Sequence, residues 1–316
     1  MIDGEEATLV RPRTREWVRQ FLERGERIVR IEALHGGITA EMRRLGIEGG
    51  RGGSRELVLR SYVAPFFVER AEDAMRRETG ALRSLVGVES VRAPRLVGVD
   101  ATAERCEYPS LLMTCLPGRH TIADTGVGTR VRLLARQLAA IHTVVPEQQP
   151  PTYEALTTAD TVVVPEGGDP VAWDAAIDLI RLPPPDYEGR FLHRDFQPGN
   201  VLFEAPDRIG GVVDWAGASW GPTDFDVAHC CTNLALLHGP EWGQRFADAY
   251  EEAGGVLTAD RDARRYWRVR SAMAFSEELP AITRPWREAG RTELTTQVVA
   301  ERLDAYVSGL MARGCQ

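Results

Sequence analysis

The chain has 316 residues, of which 43% are apolar and 27% charged, so it is long enough for one large or two ordinary domains with buried cores. Its polar, acidic N-terminus is unlike a signal peptide and no long apolar run predicts a membrane span, so we expect a cytoplasmic protein without a membrane partner. Residues 117–316 hold 19 Arg against 28 acidic residues, which argues against a nucleic-acid partner. The excess of acidic residues is explained either by a cationic small-molecule partner or by ordinary surface solubility.

Alternation of apolar and polar residues predicts a β-rich first part with five strands. The predicted strands cover residues 27–34, 39–47, 56–62, 95–100 and 110–115. A helix over about 66–86 is predicted between the third and fourth strands. Thr14 is the predicted cap of an earlier helix that ends near Arg24. Together these elements predict a compact half made of a sheet and one inserted helix.

The β-type pattern ends at Leu116-Pro117-Gly118, which we interpret as a hinge between two lobes. We therefore expect an N-terminal domain over residues 1–116, with 19 Arg against 18 acidic residues, and a C-terminal domain over residues 117–316. Helical periodicity dominates the second domain. The predicted helices cover residues 129–144, 171–182, 224–237, 241–252, 258–274 and 294–312. The expected fold class is α+β.

Three short apolar strands in the C-terminal domain, over 191–193, 201–203 and 209–213, bring polar side chains to one place. Asp195 follows the first strand, Asn200 precedes the second, and Asp214 ends the third. Carboxylates this concentrated are costly unless a cation or a strong hydrogen-bond network occupies the spot. A His-Arg-Asp triplet, an Asn five residues after the Asp and a strand-borne Asp form the pattern that phosphoryl transfer from a nucleotide requires. One carboxylate accepts a hydroxyl proton, while the amide oxygen and the second carboxylate hold Mg²⁺.

A metal-dependent hydrolase is an alternative interpretation of His193-x-Asp195. It lacks support in the sequence, because no second set of His, Cys or carboxylate residues has ligand spacing. The five cysteines are odd in number and are interpreted as reduced thiols. The other histidines are scattered: His35, His120, His142, His229 and His238. Of these, His142 ends the apolar stripe of a helix and is predicted to be a hydrogen-bonded packing residue.

Two features of the N-terminal domain are candidates for binding phosphate. The connection over 34–40 holds Gly36 and Gly37, whose backbone N–H groups can fold over phosphates, although a plain turn explains them equally well. On the inner face of its strand, Arg60 needs an anionic partner, which Glu78 on the following helix or a bound phosphate can supply. A surface position at the strand edge is the alternative. All 38 basic residues are arginine, so any role usually given to lysine is absent or filled by arginine.

Taken together, these residues resemble the aminoglycoside phosphotransferase family of antibiotic and small-molecule kinases. The resemblance extends from Gly36 and Gly37 to the C-terminal helices, and is most specific over residues 193–200, 211–215 and 221–228. It implies a bilobal protein-kinase-like fold. The N-terminal lobe would hold a five-stranded antiparallel sheet plus a helix and bind the nucleotide, and the mostly helical C-terminal lobe would hold the catalytic and substrate-binding residues.

The resemblance also implies roles for the residues of the central segment. Asp195 would be the general base for the acceptor hydroxyl, with His193 and Arg194 beside it in the catalytic loop. Asn200 and Asp214 would be the Mg²⁺ ligands. Trp215 and Ala216 follow Asp214 where a protein kinase has Phe-Gly, so no activation switch of the protein-kinase type is expected.

The nucleotide site implied by the resemblance lies in the N-terminal lobe. Gly36, Gly37 and Thr39 would belong to the loop that covers the nucleotide. Arg60 would be the phosphate-binding cation, with Glu78 as its helix partner. Met113 and Cys115 would belong to the hinge against which the purine stacks. Arg60 stands where protein kinases have a lysine. A bidentate guanidinium grip on phosphate is physically sound.

The function that the resemblance implies is Mg²⁺-dependent transfer of the γ-phosphate of ATP or GTP to a hydroxyl of a small molecule. A cationic, hydroxylated aminoglycoside antibiotic is the leading acceptor, which would make the protein a resistance enzyme. Its amino groups would be attracted by Glu277, Glu278 and Asp226, the last of which is also expected to support the catalytic loop. The alternatives are a housekeeping kinase of an amino alcohol, homoserine-like or sugar-amine acceptor, and a catalytically silent nucleotide-binding regulator. A monomer and a dimer are both compatible with the sequence.

Overall fold

The computed structural model describes residues 9–34, 39–49, 52–155, 157–277 and 279–312. The chain divides into two compact units, Met1–Gly87 with Ala93–Leu116, and Val88–Arg92 with Pro117–Gln316. The first unit is built on one β-sheet, and the second is mostly helical, so the predicted α+β fold class is confirmed. In the described part of the chain, no helix is both long and apolar enough to span a membrane.

The first unit contains a five-stranded antiparallel sheet. Its strands are β1 (Arg27–Leu34), β2 (Glu41–Glu48), β3 (Ser54–Ser61), β4 (Leu96–Asp100) and β5 (Ser110–Thr114). Their order across the sheet is β1-β2-β3-β5-β4, so β5 pairs with both β3 and β4. The helices of this unit are α1 (Pro12–Arg19), α2 (Pro65–Val68) and α3 (Ala71–Ser84).

The core of this unit is divided between the two faces of the sheet, because side chains alternate along a strand. On one face, Leu59 of β3 belongs to a buried cluster with Trp17 of α1. On the other face, Val58 belongs to a cluster with Met75 of α3. Arg60 is two residues beyond Val58 and therefore shares the face that α3 covers.

Two helices of this unit have bounds that differ from the prediction. Helix α1 begins at Pro12, whose fixed φ suits the first helical position, rather than at a Thr14 cap. The Thr14 hydroxyl instead donates to the Glu107 carboxylate (2.6 Å). The single helix predicted over 66–86 is divided into α2 and α3.

The described part of the second unit contains seven α-helices and two strand pairs. The helices are α4 (Val127–His142), α5 (Pro170–Arg181), α6 (Thr223–His238), α7 (Pro240–Glu252), α8 (Arg261–Ala274), α9 (Leu279–Glu288) and α10 (Thr296–Ala312). Strand β6 (Gly189–Leu192) pairs with β9 (Ser219–Pro222), and β7 (Val201–Ala205) pairs with β8 (Arg208–Val212). Helix α6 contacts α4, α7, α8 and α10 and is buried on almost every side, so its apolar residues do not form a single stripe.

Two helices of the second unit correct the prediction. Helix α9 is not among the predicted elements, because Pro280 and Pro285 interrupt its helical pattern. Helix α8 begins at Arg261 rather than at Thr258, because the Asp260 carboxylate caps it by accepting two backbone N–H hydrogen bonds of the first turn.

The β7–β8 hairpin is packed tightly against the segment that follows Pro117. Arg119 and Phe203 exchange two backbone hydrogen bonds (3.0 and 2.8 Å). A Cβ atom added to Gly210 of β8 would lie 2.1 Å from the Pro117 carbonyl oxygen. Because β8 leads directly to Asp214, this packing fixes the approach of the chain to the candidate site.

We predict that Gly210→Ala destabilises the second unit, because the new methyl group would overlap a backbone carbonyl. Overpacking of this kind costs about 1–3 kcal/mol. The control is Gly309→Ala in α10, where a Cβ meets nothing within 4 Å. There alanine should add up to about 1 kcal/mol through helix propensity. Denaturant unfolding measures both variants, and a Gly210→Ala protein as stable as the wild type would contradict the packing.

Candidate functional site

The candidate site of the second unit is built where its short strands end. Strand β6 is followed directly by His193, Arg194 and Asp195. A 3₁₀ turn that ends at Asn200 then leads into β7. Strand β8 ends two residues before Asp214. The strand ends therefore place all five residues predicted for this part of the site.

The loop after β6 is held by Asp226, a side chain of the first turn of α6 that has no exposed surface. Its two carboxylate oxygens accept hydrogen bonds from the backbone N–H groups of His193 (2.8 Å) and Arg194 (2.7 Å). The His142 ring of α4 lies 3.3 Å from the same carboxylate, and its other nitrogen lies 2.7 Å from the Tyr250 hydroxyl of α7. One carboxylate thus joins the loop to α4, α6 and α7.

Electrostatics keep Asp226 ionised. Burial raises the pKa of this carboxyl, but the hydrogen bond and charge of His142 and the charge and backbone N–H of His193 outweigh it, so the pKa lies below the ordinary Asp value. The N-terminal field of α6 acts in the same direction. Because Asp226 is fully buried, the expectation that it also attracts substrate amino groups is wrong. Of the other two carboxylates expected there, Glu277 is exposed after α8, and Glu278 lies outside the described residues.

The backbone is left-handed at two residues of the site, Arg194 (φ 72°) and Asp214 (φ 66°). This conformation costs a residue other than glycine roughly 1 kcal/mol. At Arg194 the cost is offset by the bond from its N–H to Asp226 and by the bond from its guanidinium to the Glu154 carbonyl (2.8 Å). The reversed φ turns the chain sharply just before Asp195.

The Asp195 side chain is 43% exposed and has three side-chain hydrogen-bond donors. Its Oδ1 accepts from His229 Nε2 (2.9 Å) and Gln197 Nε2 (3.0 Å), and its Oδ2 accepts from Asn200 Nδ2 (2.8 Å). Desolvation raises the pKa of this carboxyl, but the hydrogen bond and charge of His229, with the charge of His193, lower it by more. The pKa therefore lies below the ordinary Asp value, and the carboxylate is ready to accept a hydrogen bond from a hydroxyl.

Asn200 and Asp214 lie at the same end of the β7–β8 ladder, since Asn200 directly precedes β7 and Asp214 follows β8 by two residues. The Val213 N–H donates to the Asn200 carbonyl (2.9 Å), and His193 Nε2 lies 2.9 Å from the Val213 carbonyl. The amide nitrogen of Asn200 donates to the backbone and side-chain oxygens of Asp195 (2.8 Å each), which turns its Oδ1 away from Asp195. The loop and the two strand ends are therefore connected by hydrogen bonds.

The donor set of Asn200 and Asp214, one amide oxygen and one carboxylate, fits Mg²⁺. This cation binds proteins through one or two such oxygens and keeps water or substrate phosphate at its other positions. A zinc site needs three or four protein ligands. Within the described ranges, no group of three or more His, Cys, Asp or Glu side chains is arranged to hold a metal. The chemistry of the donors therefore favours magnesium over a hydrolase-type metal.

In the first unit, Arg60 and Glu78 form the ion pair that was predicted from the sequence. The Arg60 Nη1 atom lies 2.7 Å from Glu78 Oε2, and both side chains are buried. The Arg60 Nε–H also points to the Met42 sulfur (3.4 Å). Separating the two partners would leave a buried charge uncompensated, which is energetically costly. The guanidinium is therefore held next to Glu78.

The other residues predicted to bind the nucleotide have varied surroundings in the first unit. Thr39 is exposed just before β2, and Met113 is buried in β5. Cys115 follows β5 and is partly buried, which raises the pKa of its thiol. Gly36 and Gly37 lie outside the described residues.

His229 and Gln197 donate to Asp195 but are not among the predicted site residues. Gln197 is two residues beyond Asp195 in the same loop. The available signal was an amide side chain close enough in sequence to donate to the Asp195 carboxylate. His229 follows Asp226 by three residues, and residues three apart share one face of a helix. That spacing could have drawn attention to His229. The prediction that His142 is a hydrogen-bonded packing residue is confirmed.

A five-stranded antiparallel sheet followed along the chain by a mostly helical unit is the architecture of kinase-like phosphotransferases. The model of the phosphotransferase enzyme family, APH, matches residues 30–267. The chain belongs to this family, which confirms the resemblance predicted from its motifs. No curated protein sequence matches it.

Solved structures with a similar fold include aminoglycoside phosphotransferases. A putative aminoglycoside phosphotransferase from Ralstonia eutropha JMP134 is 17% identical, with a TM-score of 0.61 and coverage of 94% of this chain and 98% of that chain. A thermostable mutant of APH(4)-Ia, in ternary complex with AMP-PNP and hygromycin B, is 17% identical, with a TM-score of 0.60 and coverage of 94% and 99%. The GDP complex of wild-type aminoglycoside 2'-phosphotransferase-IIIa is 16% identical, with a TM-score of 0.58 and coverage of 91% and 94%. At these identities the likeness shows the fold alone.

We predict that Asp226→Asn lowers the free energy of unfolding by about 3 kcal/mol, because an NH₂ group would replace one of the two oxygens and face either the His193 or the Arg194 backbone N–H donor. The matched control is Asp224→Asn, two residues earlier on α6. Asp224 is only partly buried and burial raises its pKa, so a neutral amide should be tolerated there. Denaturant unfolding at pH 7 measures both variants.

The pH dependence of unfolding gives a second readout on Asp226. Because folding lowers the pKa of this carboxyl, its contribution is present above the unfolded value of about 3.9 and is lost as the pH falls through the lower folded value. Below about pH 4 the wild type should therefore lose stability more steeply than Asp226→Asn. Equal stability at pH 7 and equal slopes in acid would contradict the role of Asp226 in holding the loop.

Proposed function

We propose that the protein is a Mg²⁺-dependent O-phosphotransferase that moves the γ-phosphoryl group of ATP or GTP to a hydroxyl of a small molecule. The observation that carries this proposal is the connected set of Asp195, Asn200 and Asp214. Asp195 is partly exposed and bonded to Asn200, whose carbonyl is bonded to the residue before Asp214. Membership of the phosphotransferase enzyme family supports the same reaction.

In this proposal, Asp195 orients the acceptor hydroxyl and takes its proton as the phosphoryl group transfers. Because the transition state of phosphoryl transfer is loose, correct positioning of the hydroxyl contributes more than its full deprotonation. Asn200 and Asp214 would hold Mg²⁺, which when bound neutralises charge on the nucleotide phosphates. His193 and Arg194 keep the loop in shape through their bonds to neighbouring carbonyls and to the α6 carboxylate.

We propose that the first unit supplies the nucleotide-binding residues. The buried Glu78 carboxylate fixes the Arg60 guanidinium, and a planar guanidinium can grip a phosphate in a bidentate manner that an ammonium group cannot. The remaining proposed nucleotide contacts are Gly36, Gly37, Thr39, Met113 and Cys115. Proteins of similar fold are known in complexes with GDP and with AMP-PNP, which supports a nucleotide as donor.

The acceptor that we propose is a cationic, hydroxylated molecule of the aminoglycoside class. Structures of similar fold have been solved with hygromycin B and with kanamycin. Residues 117–316 carry 28 acidic residues against 19 Arg, and such an excess attracts polyamines. Among the acidic side chains, Glu277 is exposed just after α8 and is the proposed contributor to amine binding.

An acceptor panel tests this proposal. With Mg²⁺ and ATP or GTP, the purified protein should consume nucleotide in the presence of an aminoglycoside, and the acceptor should gain the mass of one phosphoryl group. The panel also contains amino alcohols, homoserine and amino sugars. Turnover of these alone would make the protein a metabolite kinase, and cells expressing it would remain susceptible to aminoglycosides. Turnover of no acceptor would contradict the phosphotransferase proposal.

We predict that Asp195→Ala lowers kcat by about 10³-fold, because positioned proton acceptors contribute on this scale. Nucleotide affinity should remain near the wild-type value, since Asp195 is not a proposed ligand of the nucleotide or of Mg²⁺. The control is Asp178→Ala on the surface of α5, where the carboxylate pairs with Arg181. Steady-state kinetics and nucleotide titration measure both variants. Wild-type turnover by Asp195→Ala would show that the base assignment is wrong.

A further inference from the structure

His229 lies one turn beyond Asp226 on α6, and its ring is directed at Asp195. Its Nε2 atom is 2.9 Å from Asp195 Oδ1. Since an ionised carboxylate only accepts hydrogen bonds, Nε2 must carry the hydrogen of this bond. The ring is held by aromatic neighbours, with centroid distances of 5.3 Å to Phe275 and 6.3 Å to Phe225, and only 17% of the side chain is exposed. The donor therefore has a fixed position.

The three donors are distributed unequally over the two oxygens of Asp195. Oδ1 receives both His229 and Gln197, whereas Oδ2 receives Asn200. Each carboxylate oxygen accepts about two hydrogen bonds. Two donors therefore saturate Oδ1, while Oδ2 has room for one more. An acceptor hydroxyl that binds to Asp195 would have to donate to Oδ2.

We infer that His229 is a positioning residue for phosphoryl transfer. Together with Gln197, it holds the Asp195 carboxylate in one rotamer and presents Oδ2 to the acceptor hydroxyl. The inference rests on the proposed function, because it concerns the group that we propose as the base. It adds a residue on α6 that acts through Asp195 and does not itself touch the substrate.

Energetics favour positioning over a purely structural role for this contact. A partly exposed contact between a His and a carboxylate contributes little to stability. By contrast, a shift of about 1 Å in a reacting group can lower a rate about 10²-fold. Because Asp226 binds the loop backbone and His229 binds the Asp195 side chain, α6 fixes both parts of the same loop.

Two substitutions separate the hydrogen bond of His229 from its packing. His229→Gln keeps an N–H donor close to the position of Nε2, whereas His229→Phe keeps the aromatic contact with Phe275 and has no donor. We expect His229→Phe to lower kcat about 10- to 100-fold with little change in the KM for nucleotide. The Gln variant should retain kcat within a few-fold of the wild type. Both variants should keep the wild-type Tm within a few degrees.

A second variant tests the same arrangement from within the loop. Gln197→Met keeps the length of the side chain but removes its donor, and it should also lower kcat without changing the KM for nucleotide. If His229→Phe fails to fold, an unchanged kcat of Gln197→Met overturns the inference by itself.

Several outcomes would overturn the positioning role. One is a wild-type kcat in His229→Phe, and another is a kcat that falls in parallel with Tm in both His229 variants. A wild-type protein that turns over no acceptor is a different failure, because it removes the proposed function and the inference together. Turnover by the wild type with no separation between the Phe and Gln variants overturns only the inference.

Discussion

The buried carboxylate of Asp226 is the interaction on which the candidate site depends. Two backbone N–H groups at the start of the loop that holds Asp195 donate to it, His142 contacts it, and the Tyr250 hydroxyl binds the far side of the His142 ring. A buried charge is tolerated only where donors satisfy it. Here the loop itself supplies most of the donors, so the loop conformation and the buried charge stabilise each other. The left-handed backbone of Arg194 persists because of this mutual stabilisation.

Helix α6 extends this constraint from the core to Asp195, the base that we propose. Its first turn holds the loop backbone, and the next turn supplies His229 to the Asp195 side chain. Exposure increases along the same path, from none at Asp226 to 17% at the His229 side chain and 43% at Asp195. A base for a bound hydroxyl needs this combination of a rigid anchor and an accessible, ionised oxygen. In the first unit the buried Glu78 carboxylate fixes the Arg60 guanidinium in the same way, and Arg60 is the cation that we propose for phosphate binding in a chain without lysine.

Much of this organisation could be predicted from the sequence, and the part that could not has a physical reason. The strands were predictable from their alternation, and the proximity of Asp195, Asn200 and Asp214 followed from three short apolar runs that each border one of them. The contact between His229 and Asp195 spans 34 residues and depends on how α6 packs on the loop. The spacing of His229 from Asp226 indicates a shared helix face but does not identify Asp195 as the partner. The complete burial of Asp226 was equally hidden, because an acidic residue in the first turn of a helix usually faces solvent. Helix α9 escaped prediction because its two prolines resemble a loop signal.

The most direct test of the account follows the fate of a labelled phosphate. The protein is incubated with Mg²⁺, an acceptor from the panel, and nucleotide labelled at either the α- or the γ-phosphate. In-line phosphoryl transfer predicts that the γ label moves to the acceptor as a phosphate monoester, while the α label stays with the nucleoside diphosphate. A γ label released only as inorganic phosphate, or an α label found on the acceptor, would contradict the account.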